Sequence, residues 1–162
     1  MTTLSSAPYL AARESPAASR GAHLERVATE WQQAIRSALL PLDLTHAQFR
    51  LLVAATWLAA RHPAVRQSDI ATLANADAVM TSEVLRTLET RGLIVRSPHP
   101  TDRRARAVTV TEAGGALADR SARLVDVVES RFFDQGMAEF APLAKALKKG
   151  GRGRSGGGSQ TV

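Results

Sequence analysis

The sequence predicts a mainly α-helical domain that carries a small β-hairpin. The prediction rests first on residues 77–114, where a short amphipathic helix is stopped by Gly92 and two β-prone runs follow, LIVRS at 93–97 and RAVTVT at 106–111. A segment rich in turn formers and arginine, PHPTDRRA, separates the two runs. Apolar residues at helical spacing on both sides predict flanking helices. These features indicate a winged helix-turn-helix with additional helices at its two ends.

Two helices, a strand and a short third helix are predicted to precede this segment. Apolar residues recur at helical spacing over 22–40, and Pro41 is expected to end the first helix. Thr45 is the expected N-cap of a second helix, which continues to the His-Pro dipeptide downstream. Residues 64–67 are predicted to add a third strand to the hairpin, and Ser68 to cap a short helix. This order is what a helix-turn-helix requires.

The helix within 77–92 has the features of a recognition helix. Its first residue, an aspartate, is the expected N-cap. At about 100° per residue, Val84, Leu85 and Leu88 fall on one face, which is expected to be buried, and Thr81 lies close to them. The opposite face is polar near the N-terminus, where recognition helices meet base edges. The candidate DNA-binding residues on this helix and the one before it are Ser68, Val79, Thr81, Ser82 and Arg86.

Positive charge is concentrated in the recognition helix and the hairpin. Residues 86–106 carry six arginines and two acids, a net charge of +4, whereas 1–85 balance to zero and 107–144 carry −3. A polar helix face alone is typical of any solvated helix, but clustered positive charge is the pattern expected when phosphates are the partner. The whole-chain charge of +6 is weaker evidence, because five basic residues lie near the C-terminus.

The hairpin tip combines one acid with three arginines. Asp102 and Arg104 are two residues apart, so the Asp102 carboxylate is predicted to brace the Arg104 guanidinium in a tight loop. Arg103 and Arg106 then remain free to contact phosphates or a narrow minor groove. A solvated charged turn is the alternative interpretation. The candidate DNA-binding residues of the wing are Arg103, Arg104 and Arg106, with Asp102 as the bracing residue.

A long helix is predicted after the hairpin. Thr111 is expected to open it, a break is expected at 134–136, and a last helix is predicted over 137–147. The first and the last two helices exceed what a single winged helix needs, and their apolar stripes require burial. The sequence therefore predicts a homodimer.

The chain is expected to form one domain with two tails. Residues 1–20, rich in Ala, Ser, Thr and Pro, are predicted to be disordered. Residues 21–148 are the predicted winged helix-turn-helix domain, with dimerisation helices at 21–40 and 112–148. Residues 149–162 are a predicted flexible, basic, Gly-rich tail, which either adds non-specific attraction to DNA or has no role.

An ordered set of short motifs resembles the MarR family of bacterial transcription regulators. The motifs are Leu88-Glu89, Arg91-Gly92-Leu93-Ile94, Arg96, Asp102-Arg103-Arg104, and Val110-Thr111 with Gly114. They match the family's "LE..GL..R" helix end, its "DxR" wing and its "LT..G" start of the next helix, except that valine at 110 replaces the usual leucine. The resemblance covers residues 22–148. It implies a two-fold dimer whose recognition helices bind successive major grooves of a palindromic site.

The same resemblance implies a small effector, often aromatic and anionic, bound between the dimer helices and the winged domain. Four residues lie on helices that would line such a pocket: Trp31, His46, Arg50 and Trp57. A place in the hydrophobic core is the alternative for both tryptophans.

Several classes of protein are excluded by composition. The chain has no cysteine, so disulfides, cysteine-ligated zinc and cysteine-based peroxide sensing are excluded. The four histidines lack metal-ligand spacing, and no glycine-rich phosphate loop follows a strand. We therefore predict no enzyme activity, no metal and no cofactor. No apolar run approaches the length of a membrane span, which predicts a cytoplasmic protein without a membrane partner.

The functional prediction is a sequence-specific DNA-binding transcription regulator. We expect a homodimeric repressor that binds a palindromic operator in double-stranded DNA and is released by a small molecule. The alternative is a winged-helix protein-interaction module whose basic wing meets an acidic partner.

Overall fold

The computed structural model describes residues 19–134 and confirms the predicted fold class, a mainly helical domain with a small antiparallel sheet. The predicted last helix, 137–147, lies outside the described residues, as does each predicted tail apart from Ser19 and Arg20. In chain order the elements are α1 (Arg20–Leu39), α2 (His46–Ala59), β1 (Val65–Arg66), α3 (Gln67–Leu73), α4 (Ala78–Thr90), β2 (Ile94–His99), β3 (Asp102–Val110) and α5 (Glu112–Phe133).

Three helix starts confirm the predicted caps. The Thr45 hydroxyl accepts the Gln48 backbone N–H at 3.1 Å, and the Gln48 side chain accepts the Thr45 N–H at 3.0 Å, a reciprocal capping box. Asp77 Oδ1 accepts the Met80 N–H at 2.8 Å at the start of α4. Thr111 Oγ1 accepts the N–H of the third residue of α5 at 3.0 Å. These bonds satisfy amide groups that have no partner inside their helices.

Two predicted helix starts are wrong. Helix α1 begins at Arg20, within the predicted disordered tail, because the Ser19 side chain accepts the Ala22 N–H at 3.1 Å and caps it. Helix α3 begins at Gln67 with Arg66 at the N-cap position, so Ser68 is not a cap and lies exposed in the first turn.

The sheet confirms the predicted third strand. The strand order is β1-β3-β2, and both neighbours of β3 run antiparallel to it. Val65 of β1 pairs with Val108, and Ile94 of β2 pairs with Val110. The short strand β1 therefore attaches the start of α3 directly to the wing.

The hairpin strands are longer than the sequence predicts, and two residues remain between them. The pairing shifts near the tip, where Pro98 opposes Arg106 but His99 opposes Asp102. Residues 103–105 are therefore the extra residues of a bulge in β3. The turn-forming composition indicated a loop here because proline and charged residues are rare in regular strands.

Two packed clusters hold the elements together. The larger one joins α2, α3, α4 and the sheet, and Leu85 and Leu88 of α4 are fully buried in it, so the predicted buried face is confirmed. Val84 is only partly buried and packs against this cluster. The smaller cluster, between α1 and α5, consists of Ile35, Leu39, Leu44 and Val125.

Helices α1 and α5 pack against each other and still keep apolar side chains in contact with solvent. Leu24 and Val27 of α1 are 54% and 42% exposed, and Leu124 and Val127 of α5 are 41% and 49% exposed. None of the helices within 19–134 combines the length and the apolar character needed to cross a membrane.

Candidate nucleic-acid interface

The outer face of α4 presents a short row of exposed side chains. Val79 is 71% exposed, and Glu83 and Arg86, one and two turns later, are also exposed. Ser82 lies half-buried beside them. The hydroxyls of two threonines further along the face are already used, because they donate to carbonyls one turn back in the same helix. The uncommitted groups on this face are therefore concentrated in the N-terminal two-thirds of the helix.

The assignment of Thr81 to DNA binding is wrong. Its side chain is fully buried, and its hydroxyl has no hydrogen-bond partner among the described residues. Thr81 is four residues before Leu85 and seven before Leu88, so it continues their buried stripe. A helix face that packs on the core cannot reach a DNA groove.

The wing is braced by Asp102, although not in the predicted way. Asp102 Oδ1 accepts the backbone N–H of Arg104 at 3.0 Å, the short-range contact typical of aspartate in turns. The expected ion pair with the Arg104 guanidinium is absent from the described side chains, and that guanidinium is exposed. Arg106 is exposed as well. The backbone of Arg103 lies in the bulge, and its side chain is outside the described atoms.

The wing and the start of α3 enclose a groove of about 350 Å³. One side of this groove is lined by Ser68, a candidate DNA-binding residue of the sequence, and by Arg66, which was not among those candidates. Arg66 pairs with Ala107 of β3, and this pairing brings its side chain beside the wing arginines. The only sequence signal was a basic residue in the predicted third strand. The groove residues are Arg66, Gln67, Ser68, Asp102, Arg104, Ala105 and Arg106.

Two of the six arginines in residues 86–106 hold the fold together. Arg96 donates through its backbone N–H and its Nε to the two carboxylate oxygens of Glu89, at 2.9 and 2.8 Å. Arg91 donates to the backbone oxygen of Asp43 at 2.6 Å and lies 3.4 Å from its carboxylate. The first contact fixes the wing against α4, and the second fixes the end of α4 against the loop before α2. The positive surface is therefore smaller than the sequence count indicated.

We expect the contact between Glu89 and Arg96 to make stability depend on pH. Hydrogen bonds from the Arg96 side chain and backbone lower the pKa of Glu89. A lowered folded-state pKa gives stability that is complete above the unfolded-state pKa and is lost as the pH falls through the folded-state pKa. In urea unfolding from about pH 7 to about pH 3, the difference in free energy of unfolding between wild type and Glu89→Gln should therefore narrow in acid. A difference that is constant over this range would contradict the assignment.

The four predicted effector residues form two groups. Trp31 and His46 meet edge to face with ring centroids 5.4 Å apart, and the indole N–H of Trp31 is buried without a partner in the described chain. Arg50 and Trp57 instead line an open pocket of about 440 Å³ between α2 and the end of α3. Phe49 joins the groups, because it lines that pocket and stacks on His46.

The two groups of predicted effector-binding residues differ in the charge of their titratable side chains, His46 in one group and Arg50 in the other. Burial is the main cause that lowers the pKa of His46, and the charges of Arg50 and Arg36 add to it. Arg50 also donates to the backbone oxygens of Ala74 and Asn75, at the end of α3, where carbonyls lack partners inside the helix.

In the described part of the chain, no cluster of histidine and acidic side chains could hold a metal ion.

Comparison with known sequences places the chain in a family. The sequence profile of the MarR family matches residues 44–105, from just before α2 to the wing. YdcH from Bacillus subtilis (strain 168), an uncharacterized HTH-type transcriptional regulator, is 35% identical over 122 residues, which make up 75% of this chain and 83% of YdcH. The chain belongs to the MarR family.

Solved structures of similar proteins agree with the assignment of this chain to the MarR family. The crystal structure of a MarR mutant from E. coli complexed with operator DNA is 25% identical, with 80% of this chain and 91% of that one covered and a TM-score of 0.69. CouR from Rhodococcus jostii RHA1, bound to p-coumaroyl-CoA, is 26% identical, with 85% and 94% covered and a TM-score of 0.70. The protein is a MarR-family transcription regulator, which confirms the prediction that it is not an enzyme.

Proposed function

We propose that this regulator is a homodimeric repressor that binds a palindromic operator in double-stranded DNA. The observation that carries the proposal is that the exposed outer face of α4 lies beside an arginine wing and is linked to it by a direct contact. The link between Glu89 and Arg96 joins the two, so helix and wing approach DNA as one unit. Because its target is DNA, we place its action in the cytoplasm. The solved complex of MarR with operator DNA supports this reading.

The proposal gives two roles to the candidate side chains of α4 and the wing. Val79, Ser82 and Arg86 enter the major groove and contact base edges, since they occupy the uncommitted face of α4. Arg104 and Arg106 contact phosphates or the minor groove, since the wing presents them to solvent. Two further candidates follow from their positions: Ser68 in the groove beside the wing and Arg103 in the bulge.

The dimer is proposed from the apolar surface shared by α1 and α5. Leu24, Val27, Leu124 and Val127 are all more than two-fifths exposed on helices that pack together. Burial of these side chains against a second copy removes apolar surface from water. Sedimentation at micromolar concentration should give a species of twice the 17.3 kDa chain mass. A 17.3 kDa species alone would contradict the dimer.

The proposed effector is a small aromatic anion. The pocket between α2 and α3 offers Trp57, 46% exposed, as an aromatic wall and Arg50 as a cation. In the neighbouring group, the positive charges of Arg50 and Arg36 act on His46 and contribute to its lowered pKa, and positive charge near this group favours an anion. Benzoate should therefore quench tryptophan fluorescence and weaken DNA binding, whereas neutral benzamide should do neither. Equal effects of the two compounds would contradict the role of Arg50.

Operator selection from randomised duplexes tests the proposed function directly. We expect the purified full-length chain to enrich an inverted repeat with half-sites about one helical turn apart. Affinity for that repeat should fall steeply and log-linearly with salt concentration, because phosphate contacts release counterions. Enrichment of no sequence, together with tighter binding to polyglutamate than to duplex DNA, would instead favour a module that binds acidic proteins.

Two substitutions at Asp102 separate its charge from its bracing contact. Asp102→Ala removes the acceptor for the Arg104 N–H, so the wing must be ordered on binding and DNA affinity should fall. Asp102→Asn keeps an oxygen acceptor and removes a negative charge, so affinity should equal or exceed that of wild type. Fluorescence anisotropy with one labelled operator measures both. Tighter binding by Asp102→Ala than by wild type would show that the brace does not matter.

A further inference from the structure

Helix α4, its N-cap residue and the wing, residues 77–110, contain four acids, and three of them have a structural role. Asp77 caps α4 by accepting the Met80 N–H at 2.8 Å. Glu89 holds the wing through Arg96 at 2.8 Å, and Asp102 braces the bulge through the Arg104 N–H at 3.0 Å. The fourth acid is Glu83, in the middle of the outer face of α4.

Glu83 is exposed, and within residues 19–134 its carboxylate has neither a hydrogen bond nor an ion pair. Arg86, one turn further on the same face, is also exposed and does not pair with it. Such pairing does occur elsewhere in this chain, since Asp119 and Arg123 form an i,i+4 ion pair on α5. Glu83 and Arg86 instead line the same shallow concavity on the outer face of the helix.

A free carboxylate at this position opposes DNA binding in general. It approaches the phosphates of any duplex, so its repulsion weakens binding to every sequence. The repulsion is offset only where the carboxylate accepts a hydrogen bond from a base. In the major groove the cytosine N4 amino group donates a hydrogen bond that a glutamate carboxylate can accept, whereas guanine and thymine present acceptors at the corresponding positions. The adenine amino group lies beside the N7 acceptor, which repels a carboxylate.

We propose that Glu83 is a specificity-determining residue that accepts a hydrogen bond from the N4 amino group of a cytosine in the operator half-site. The proposal rests on the proposed operator binding and names part of its sequence. Arg86 lies about 4.5 Å further along the helix axis, close to one base-pair step. We therefore expect the cytosine beside or within the G·C pair that Arg86 contacts. Negative and positive side chains on one face then select G·C-rich sequence at adjacent positions.

Three variants of the full-length chain test the proposal on the operator selected by wild type. Each base pair of one half-site is changed in turn to the three others, and affinities are measured by anisotropy, with a random duplex alongside. Glu83→Gln removes the charge and places an amide that pairs with adenine N6 and N7. Glu83→Asp keeps the charge on a shorter side chain. Glu112→Gln, at an exposed position at the start of α5, is the matched control for loss of one negative charge.

We expect wild type to lose affinity about tenfold or more when one C·G pair becomes T·A. Glu83→Gln should lose this preference or shift it to A·T, and should bind the random duplex more tightly than wild type. Glu83→Asp should lose the preference without tighter binding to the random duplex, and Glu112→Gln should keep it. The same base preferences in wild type and Glu83→Gln at every position would overturn the assignment of Glu83. Failure of wild type to select any sequence would instead remove the proposed function and this inference with it.

Discussion

Gly114→Ala is expected to destabilise the folded chain by about 3 kcal/mol or more, at or above the upper end of the range for overpacked sites. A Cβ at Gly114 would overlap the backbone oxygen of Leu93 and lie 2.9 Å from its carbonyl carbon. That oxygen cannot move away cheaply, because the Thr111 backbone N–H and hydroxyl donate to it at 3.1 and 3.0 Å. The substitution would therefore push the start of α5 off the base of the hairpin.

The next residue provides the matched control for this prediction. A Cβ at Gly115 would meet nothing within 4 Å, so Gly115→Ala should leave stability unchanged or raise it by about 0.5–1 kcal/mol through helix propensity. Urea unfolding followed by circular dichroism measures both variants. Similar stabilities of the Gly114 and Gly115 variants would mean that the close approach of α5 to the hairpin is not maintained in solution.

Arg86→Ala is expected to have the largest effect on DNA recognition. The Arg86 side chain is exposed on the face of α4 that is proposed to enter the DNA major groove, so its removal should change DNA binding without unfolding the chain. A bidentate arginine contact with guanine is worth about 1–3 kcal/mol of discrimination at each half-site. In a dimer on a palindrome the loss occurs twice. The variant should therefore bind the selected operator little better than a random duplex.

Substitutions of two other arginines distinguish a loss of sequence preference from a general loss of DNA affinity. Arg104→Ala should weaken all sequences about equally and lower the salt slope by about one unit for each copy bound, because its proposed contact is a phosphate. Arg120→Ala, at an exposed position on α5, should change neither quantity. Anisotropy titrations on operator and random duplex at several salt concentrations distinguish the three variants. Unaltered operator preference in Arg86→Ala would mean that a different face of α4 meets the bases.

Local features of the fold were predictable from the sequence because their partners are near in the chain. Thr45, Asp77 and Thr111 each accept an N–H three residues later, so a cap can be recognised from a short window. Gly92 has a φ of 68°, and the need for a residue that tolerates this conformation after α4 is equally local. The buried face of α4 followed from periodicity, since Leu85 and Leu88 repeat at helical spacing.

Parts of the candidate site could not be predicted, because they depend on the exact phase of a helix or on residues far apart in the sequence. Thr81 lay at the border between two faces, where the phase of the helix decides burial and the sequence pattern does not resolve it. Arg91 appeared free in the charge count, but its partner Asp43 is 48 residues away. Arg66 reached the wing only through strand pairing with Ala107.

The sequence by itself determined the fold class, the starts of α2, α4 and α5 at local caps, the order of α4 and its basic wing, and the resemblance to a family of regulators. These properties depend on short-range hydrogen bonds, side-chain periodicity and the order of motifs, all of which are written in consecutive residues. Only the tertiary structure decided which charged side chains are held by contacts within the fold and which are free to contact DNA. The Arg96 guanidinium is held by Glu89, whereas Glu83 and Arg86 remain exposed on the same helix. Such a contact requires two groups to meet in space. Packing of α4 against the sheet, rather than the composition of α4 or β2, brings Glu89 and Arg96 together.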